Sequence, residues 1–221
     1  RQKYDPLADF APIALVGQSP LIVVVPAGKP FTTVAELVAY LKANPDKASY
    51  ASSGPAGITQ FGAEVFLKRA GNLSAVHVPY RGGAPMMEAL AKGEADFGVA
   101  VLASAVPLIA SGAVRPLALA APSQTPLVAK VPLLDQLGLK DTTMTSWVIM
   151  IGPKGLPADI VGRLNKAIVE AIADADVKER LLKAGIETYP PATPAETGAY
   201  LRQDVERYRG FQGELGDRLT K

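Results

Sequence analysis

The sequence predicts an α/β fold. Short apolar runs, several rich in β-branched residues, alternate with amphipathic stretches of helical period, and Gly, Pro and Asn punctuate the two kinds. A length of 221 residues makes one large domain or two modest ones, at about 100–200 residues each. No repeat period and no low-complexity tract interrupts the alternation.

Taken in order, Leu21-Ile22-Val23-Val24-Val25 closed by Pro26 reads as a fully buried strand. Thr33-Val34-Ala35-Glu36 fits a capping box, and Val34, Leu37, Val38 and Leu41 follow on one helical face up to Asn44-Pro45. Ala48–Ser52 reads as a strand, Ser53–Gly57 as a small-residue loop, and Thr59–Ala70 as a helix closed by Gly71. Ser74–Val78 is the next strand. Pro85 suits the first position of a helix that Gly93 stops. Phe97–Val101, Leu117–Ala121 and Trp147–Ile151 are further apolar strands. Pro157 opens a helix with Ile160, Leu164, Ile168 and Ala171 on one face, and Asp174–Ala184 continues it or starts another, up to Gly185. Thr193-Pro194-Ala195-Glu196 opens a last helix with Leu201, Val205 and Tyr208 on one face. Two longer stretches, Phe10–Gly28 and Phe97–Val114, lack charge. Prolines, glycines and serines interrupt both, so they read as buried strand and turn material rather than apolar helices of ~20 residues.

Composition excludes several kinds of chemistry. Without Cys there is no disulfide framework, thiol nucleophile or iron–sulfur cluster. The single histidine, His77, excludes a multi-His zinc site. No metal and no cofactor is predicted. With 23 basic and 21 acidic side chains the formal charge is only +2, and aromatics are 6%. Neither a basic stripe nor a stacking platform for nucleic acid follows from that.

The most informative stretch is Ser52-Ser53-Gly54-Pro55-Ala56-Gly57-Ile58-Thr59. A strand enters a small-residue loop and then a helix N-terminus, where unpaired amides and the helix dipole favour an anion. The hydroxyls of Ser52, Ser53 and Thr59 are candidate donors. The same residues also fit an ordinary strand–helix turn with a Thr cap. No Gly-x-x-x-x-Gly-Lys-Ser/Thr or Gly-x-Gly-x-x-Gly occurs, which disfavours nucleotide phosphate. His77-Val78-Pro79-Tyr80-Arg81-Gly82-Gly83 is a second strand exit, where Arg81 either pairs with a carboxylate or is a solvated charge. His77, within a strand, reads as a structural imidazole. A Ser–His–Asp triad would have to use it, and no Gly-x-Ser-x-Gly elbow exists. Trp147 reads as core or cleft wall, its indole N–H needing a partner if buried. Glu64, Glu88 and Asp96 show no pairing that suggests acid–base work.

Tyr4-Asp5-Pro6-Leu7-Ala8-Asp9-Phe10, the Ser-Ser-Gly loop, His77–Gly82, Lys92-Gly93-Glu94-Ala95-Asp96, Val131-Pro132 and Ser146-Trp147 occur in that order. This ordered set resembles the solute receptors of tripartite tricarboxylate transporters, also called the Bordetella uptake gene family, across essentially the whole chain. The resemblance implies a periplasmic, two-lobed type II periplasmic-binding-protein-like fold. It also implies a small carboxylate bound between the lobes and handed to membrane transporter subunits. It places the second lobe at residues 26–145, and builds the first from 1–25 and 146–221 with crossovers near Val25 and Trp147. It implies a non-enzymatic site of Ser52, Ser53, Gly54, Gly57, Thr59, Tyr80, Arg81, Gly82, Ala100 and Trp147.

The sequence departs from the family pattern in three places. A strand–loop–helix segment is expected ahead of the Tyr-Asp-Pro-Leu motif, so the expectation is a longer native chain with that segment and a signal peptide. Gly57 and Gln60 stand where Thr or Ser and His are usual. Ala100 stands where an Asp is usual, which removes an acceptor for an ammonium group. The alternatives are a shortened, non-transporting relative acting as a sensor or interaction module, and a serine hydrolase using Ser52 or Ser53.

Overall fold

A computed structural model describes residues 4–122 and 124–219. Its longest strand, β1 (Phe10–Pro26), runs through Pro12, Gly17 and Pro20 without interruption. Pro20 is tolerated because it falls between two ladders. Gly17 and Gln18 pair with one strand, and Leu21–Pro26 pair with others, so Pro20 lies outside these ladders and they do not need the N–H that proline lacks. By contacts the chain forms two units, Arg1–Gln18 with Trp147–Phe211, and Ser19–Ser146 with Gln212–Lys221.

The larger unit holds β2 (Ser49–Ser52), β3 (Val76–Pro79), β4 (Phe97–Val101) and β5 (Val114–Ala120), in the sheet order β3-β2-β4-β1-β5. β2 runs parallel to both β3 and β4, while β1 is antiparallel to β4 and β5. Leu21–Val25 are wholly buried because β1 has a neighbour on each edge. This differs from the sequence-based lobe boundary near Val25: Leu21–Val25 pair inside the larger unit, which begins at Ser19. Residues 212–221 join it as well, through Arg69, which grips the Glu214 carboxylate, and Arg218, which reaches Glu64.

Four helices connect these strands. In α1 (Val34–Ala43) the expected capping box is present, with Thr33 Oγ1 accepting the Glu36 N–H at 3.2 Å. α2 (Ile58–Arg69) and α3 (Gly83–Lys92) follow β2 and β3. Pro85 is the third residue of α3 rather than its first, because Gly82 is the N-cap. α4 (Leu102–Ala110) is a helix where the sequence reads as strand and turn. Pro107 inside it and the absence of a capping side chain on Val101 hid it.

Asp96, just before β4, ties this unit together. Its carboxylate accepts from Lys29 Nζ at 2.5 Å, the Ser49 N–H at 2.8 Å and Tyr40 Oη at 3.2 Å. Burial pushes this carboxyl up, but the Lys29 bond and charge, the Ser49 amide and the Tyr40 hydroxyl hold it below the ordinary carboxylate range. A folded-state value below the unfolded one contributes stability above about pH 4, lost as pH falls through the depressed value. Asp96→Asn is therefore expected to cost about 1–3 kcal/mol at neutral pH. The gap to the native protein should narrow as pH falls toward about 2. Urea unfolding at both pH values checks this.

The smaller unit holds the first half of β1, β6 (Thr145–Pro153), β7 (Glu187–Thr188), α5 (Ala158–Ala173), α6 (Ala175–Lys183) and most of α7 (Pro194–Leu215). β6 and β7 both pair with β1. The Thr193 capping box opens α7 as expected, with the Glu196 carboxylate accepting the Thr193 N–H at 2.7 Å. The apolar face expected for α5 is only partly its inner face: Ile160 and Ile168 are half-buried, and the buried residue is Ile172. Leu164 is 41% exposed, whereas Asn165 donates through Nδ2 to the Ile13 and Ala192 carbonyls.

Candidate functional site

Because β2 is parallel to β3 and β4, the carboxyl ends of all three lie along one edge of the sheet. Each leads directly into a helix: β2 through 53–57 into α2, β3 through 80–82 into α3, and β4 into α4 with no intervening residue. Ligands of open α/β sheets bind at such an edge. A Cβ on Gly83 would lie 2.5 Å from Ser104 Oγ, so the first turns of α3 and α4 pack against one another.

The three helix starts share a chemical feature. None has an acidic residue in its first turn, and none is capped by its own N-cap side chain. The other four α-helices each carry an acid there: Glu36, Asp159, Asp176 and Glu196. In α4 the Ala103 N–H is taken by Ser19 Oγ at 3.0 Å. Gly57 and Gly82 contribute no side chain, so the first turns of α2 and α3 receive no cap from their own N-cap residues. Three positive dipole ends without a local counter-charge favour an anion.

The loop between β2 and α2 is held by its own hydroxyls. The Ser53 N–H donates to Thr59 Oγ1 at 2.8 Å, and the two hydroxyls of Ser53 and Thr59 are 2.9 Å apart. The Gly54 N–H donates to Ser52 Oγ at 3.2 Å, and the Ala56 N–H to Gln60 Oε1 at 2.6 Å. The β3 exit is joined to it: the Tyr80 N–H donates to the Ser52 carbonyl at 2.9 Å and the Gly82 N–H to the Ser53 carbonyl at 3.0 Å. Gly54 has φ of +141°, a conformation that only glycine adopts without strain.

These contacts revise the predicted site. Ser52 and Thr59 are buried, and their hydroxyls hold the loop instead of facing outward. Ser53, Gly54, Gly57 and Gly82 are partly exposed along the edge, and Arg81 is exposed. Tyr80 is half-buried against the apolar cluster, and its Oη donates to Glu94 at 3.2 Å. Burial, then Glu94, pushes that phenol up. Ala100 is 1% exposed and packs with Ile22, Met86 and Leu102, so it is core rather than site surface. Trp147 belongs to the smaller unit, where its Nε1–H donates to the buried Asp204 at 2.6 Å.

Two residues that the sequence reading named but left out of the site also hold the loop between β2 and α2. Gln60 accepts the Ala56 N–H and donates to the Leu219 carbonyl at 3.4 Å. His77 reaches Ser52 Oγ with Nε2 at 2.6 Å and stacks on Tyr50 with ring centroids 4.9 Å apart. The parallel pairing Tyr50↔His77 brings these rings together. Burial lowers the His77 pKa, partly opposed by the charge of Glu64.

The fold is that of the type II periplasmic binding proteins. The chain belongs to the tripartite tricarboxylate transporter receptors, whose family model, described as "Tripartite tricarboxylate transporter family receptor", matches residues 1–211. It is 32% identical over 210 residues to the UPF0065 protein in the tcbD-tcbE intergenic region of Pseudomonas sp. (strain P51). That match covers 95% of this chain and 62% of the relative, so the chain spans less than two thirds of the relative's length. Among solved structures, R. palustris Rpa4515 with adipate superposes with a TM-score of 0.92 at 25% identity, over 98% of this chain and 72% of that one. MatC (Rpa3494) from Rhodopseudomonas palustris with bound malate gives 0.87 at 25% identity, over 95% and 71%.

Proposed function

We propose that this chain is the solute-capturing part of an extracytoplasmic receptor that takes a small organic carboxylate and delivers it to membrane transporter subunits in the periplasm. The observation that carries this reading is the edge where three helices start with neither acid nor self-cap. In the larger unit the carboxylate would sit over Ser53, Gly54, Gly57, Gly82 and the first-turn amides of α2, with Arg81 at the rim. Adipate and malate in two structural neighbours are of the same ligand class. Among the described residues no helix is long and apolar enough to cross a membrane.

Magnitudes show what the edge must supply. A helix end contributes about 0.3–1 kcal/mol at a surface and up to ~2 when partly buried. A micromolar complex needs roughly 8 kcal/mol. Charge-assisted bonds from the exposed groups of the edge, the Ser53 hydroxyl and Arg81 among them, at about 1.5–3 kcal/mol each, make up much of the difference. With no first-turn acid to receive an ammonium group, unaminated acids should outrank amino acids of the same length. A panel of mono-, di- and tricarboxylates, matched amino acids and neutral sugars, run by thermal shift and calorimetry, tests this. A ligand at about a hundred times its Kd should add ~2.7 kcal/mol of stability. Preference for an amino acid or a sugar over every carboxylate would overturn the reading.

The contact between Ser52 and His77 gives the hydrolase alternative its one observation. It resembles a nucleophile and its base. Ser52 is wholly buried, however, and its Oγ is engaged with Gly54 on the other side. Ester and amide panels are expected to show no turnover.

A further inference from the structure

Ser52 Oγ lies between two groups that compete for its single proton. His77 Nε2 is 2.6 Å away and the Gly54 carbonyl 3.2 Å away, while the Gly54 N–H donates to the same oxygen. A hydroxyl donates one hydrogen bond only, and Ser52 is wholly buried, so water does not arbitrate. When His77 Nε2 is bare it takes the Ser52 proton. The Gly54 carbonyl then keeps only the Gly57 N–H, at 3.4 Å. When Nε2 carries a proton it donates to Ser52, whose own proton turns to the Gly54 carbonyl. Ser52 then holds Gly54 by both backbone atoms. Gly54, at φ of +141°, has the backbone freedom to respond.

We propose that His77 is the positioning residue of the anion loop: through the buried Ser52 hydroxyl it sets how Gly54 is held, and so the path of the loop that a carboxylate would meet. The proposal rests on the receptor reading above and adds a residue and a proton dependence to it. His77 itself is one strand removed from the loop and touches no ligand. The groups facing it are Tyr50 from β2, Glu64 from α2 and Arg218 from the C-terminal 3-10 turn, Gly216–Leu219. Glu64 and Arg218 line a cavity of about 330 Å³ with Ser74 and His77, and pair with each other at 2.8 Å. Burial holds the imidazole below its ordinary range, so it is neutral at neutral pH. With the neutral ring in its Nδ1–H tautomer, protonation adds a positive charge next to the loop and the second grip on Gly54. Carboxylate affinity therefore rises as pH falls through the His77 pKa, and a bound carboxylate raises that pKa in return.

The test uses His77→Gln, which keeps an acceptor near the Nε2 position but does not titrate, His77→Phe, which keeps the stack on Tyr50 and drops the bond, and Ser52→Ala. Thermal unfolding confirms that each variant is folded. The first readout needs no ligand: the Gly54 amide resonance, followed from about pH 8 to about pH 5, should track the His77 ring titration in the native protein. It should stay flat in His77→Gln and Ser52→Ala. The second readout is the Kd for tartrate, which stays ionised over this range. Native affinity should rise about five-fold or more with acidification, with the rise absent in His77→Gln and affinity reduced at every pH in His77→Phe. A Gly54 amide that ignores His77, or identical pH profiles of binding in the native protein and His77→Gln, overturns the proposal. Failure of the receptor reading looks different. No member of the carboxylate panel then binds at any pH although the amide still follows His77, and that result overturns both.

Discussion

Replacing Glu64 with alanine is expected to destabilise the protein by about 3–5 kcal/mol, the range for removing one partner of a buried ion pair. The Glu64 carboxylate is buried in α2 and accepts from Tyr50 Oη at 2.7 Å and Arg218 Nε at 2.8 Å. Arg218 also donates to Asn72 Oδ1 at 3.0 Å and to the Leu73 carbonyl at 2.5 Å. Truncation strands the Arg218 charge and leaves the buried Tyr50 hydroxyl without its acceptor. Burial, and then Glu64, already pushes that phenol far up, so it does not ionise to compensate. Glu64→Gln keeps the bond from Tyr50 and should cost less. Urea unfolding with an unchanged m-value measures the difference. An Ala variant within about 1 kcal/mol of the native protein would mean that the pair only balances its own desolvation.

Gly54→Val is expected to lower carboxylate affinity by roughly 10²–10⁴-fold, the loss of about two charge-assisted bonds along the edge. The cause is conformational rather than steric. A Cβ there would meet only the Tyr80 carbonyl, at 3.6 Å, an ordinary contact, but φ of +141° strains any L side chain by about 1–3 kcal/mol. The loop should relax away from its present path, carrying its amides with it. Calorimetry on Gly54→Val and Gly54→Ala, with unfolding curves on both, separates the two effects. Lost stability with intact binding would make the loop structural only.

Much of the architecture was legible because its signals are local. The Thr33 and Thr193 capping boxes depend on residues three positions apart, and both are present as read. Gly93 ends α3 in the left-handed conformation expected of it. Leu21–Val25 announced a strand buried on both faces, and Ser52–Thr59 announced the strand–loop–helix passage from β2 to α2. Pro107 concealed α4, since proline inside a short apolar stretch reads as a break. Pro20 concealed the length of β1, because its harmlessness depends on where two separate ladders end.

The sequence by itself determined the alternation of strand and helix, the helix caps and the family. Those follow from propensity, spacing and turn chemistry, which act over a few residues. Only the tertiary structure decided which hydroxyls remain for a ligand. Ser52 and Thr59 look like donors in the sequence, but the folded loop consumes both. It also decided that Ala100 is core, that Arg218 belongs with Glu64, and that His77 stands beside Ser52, 25 residues earlier in the chain. Each of these rests on the register between strands and on the path of the chain's end. Register is a pairing between distant segments, set by which apolar faces are buried together, so no local pattern encodes it.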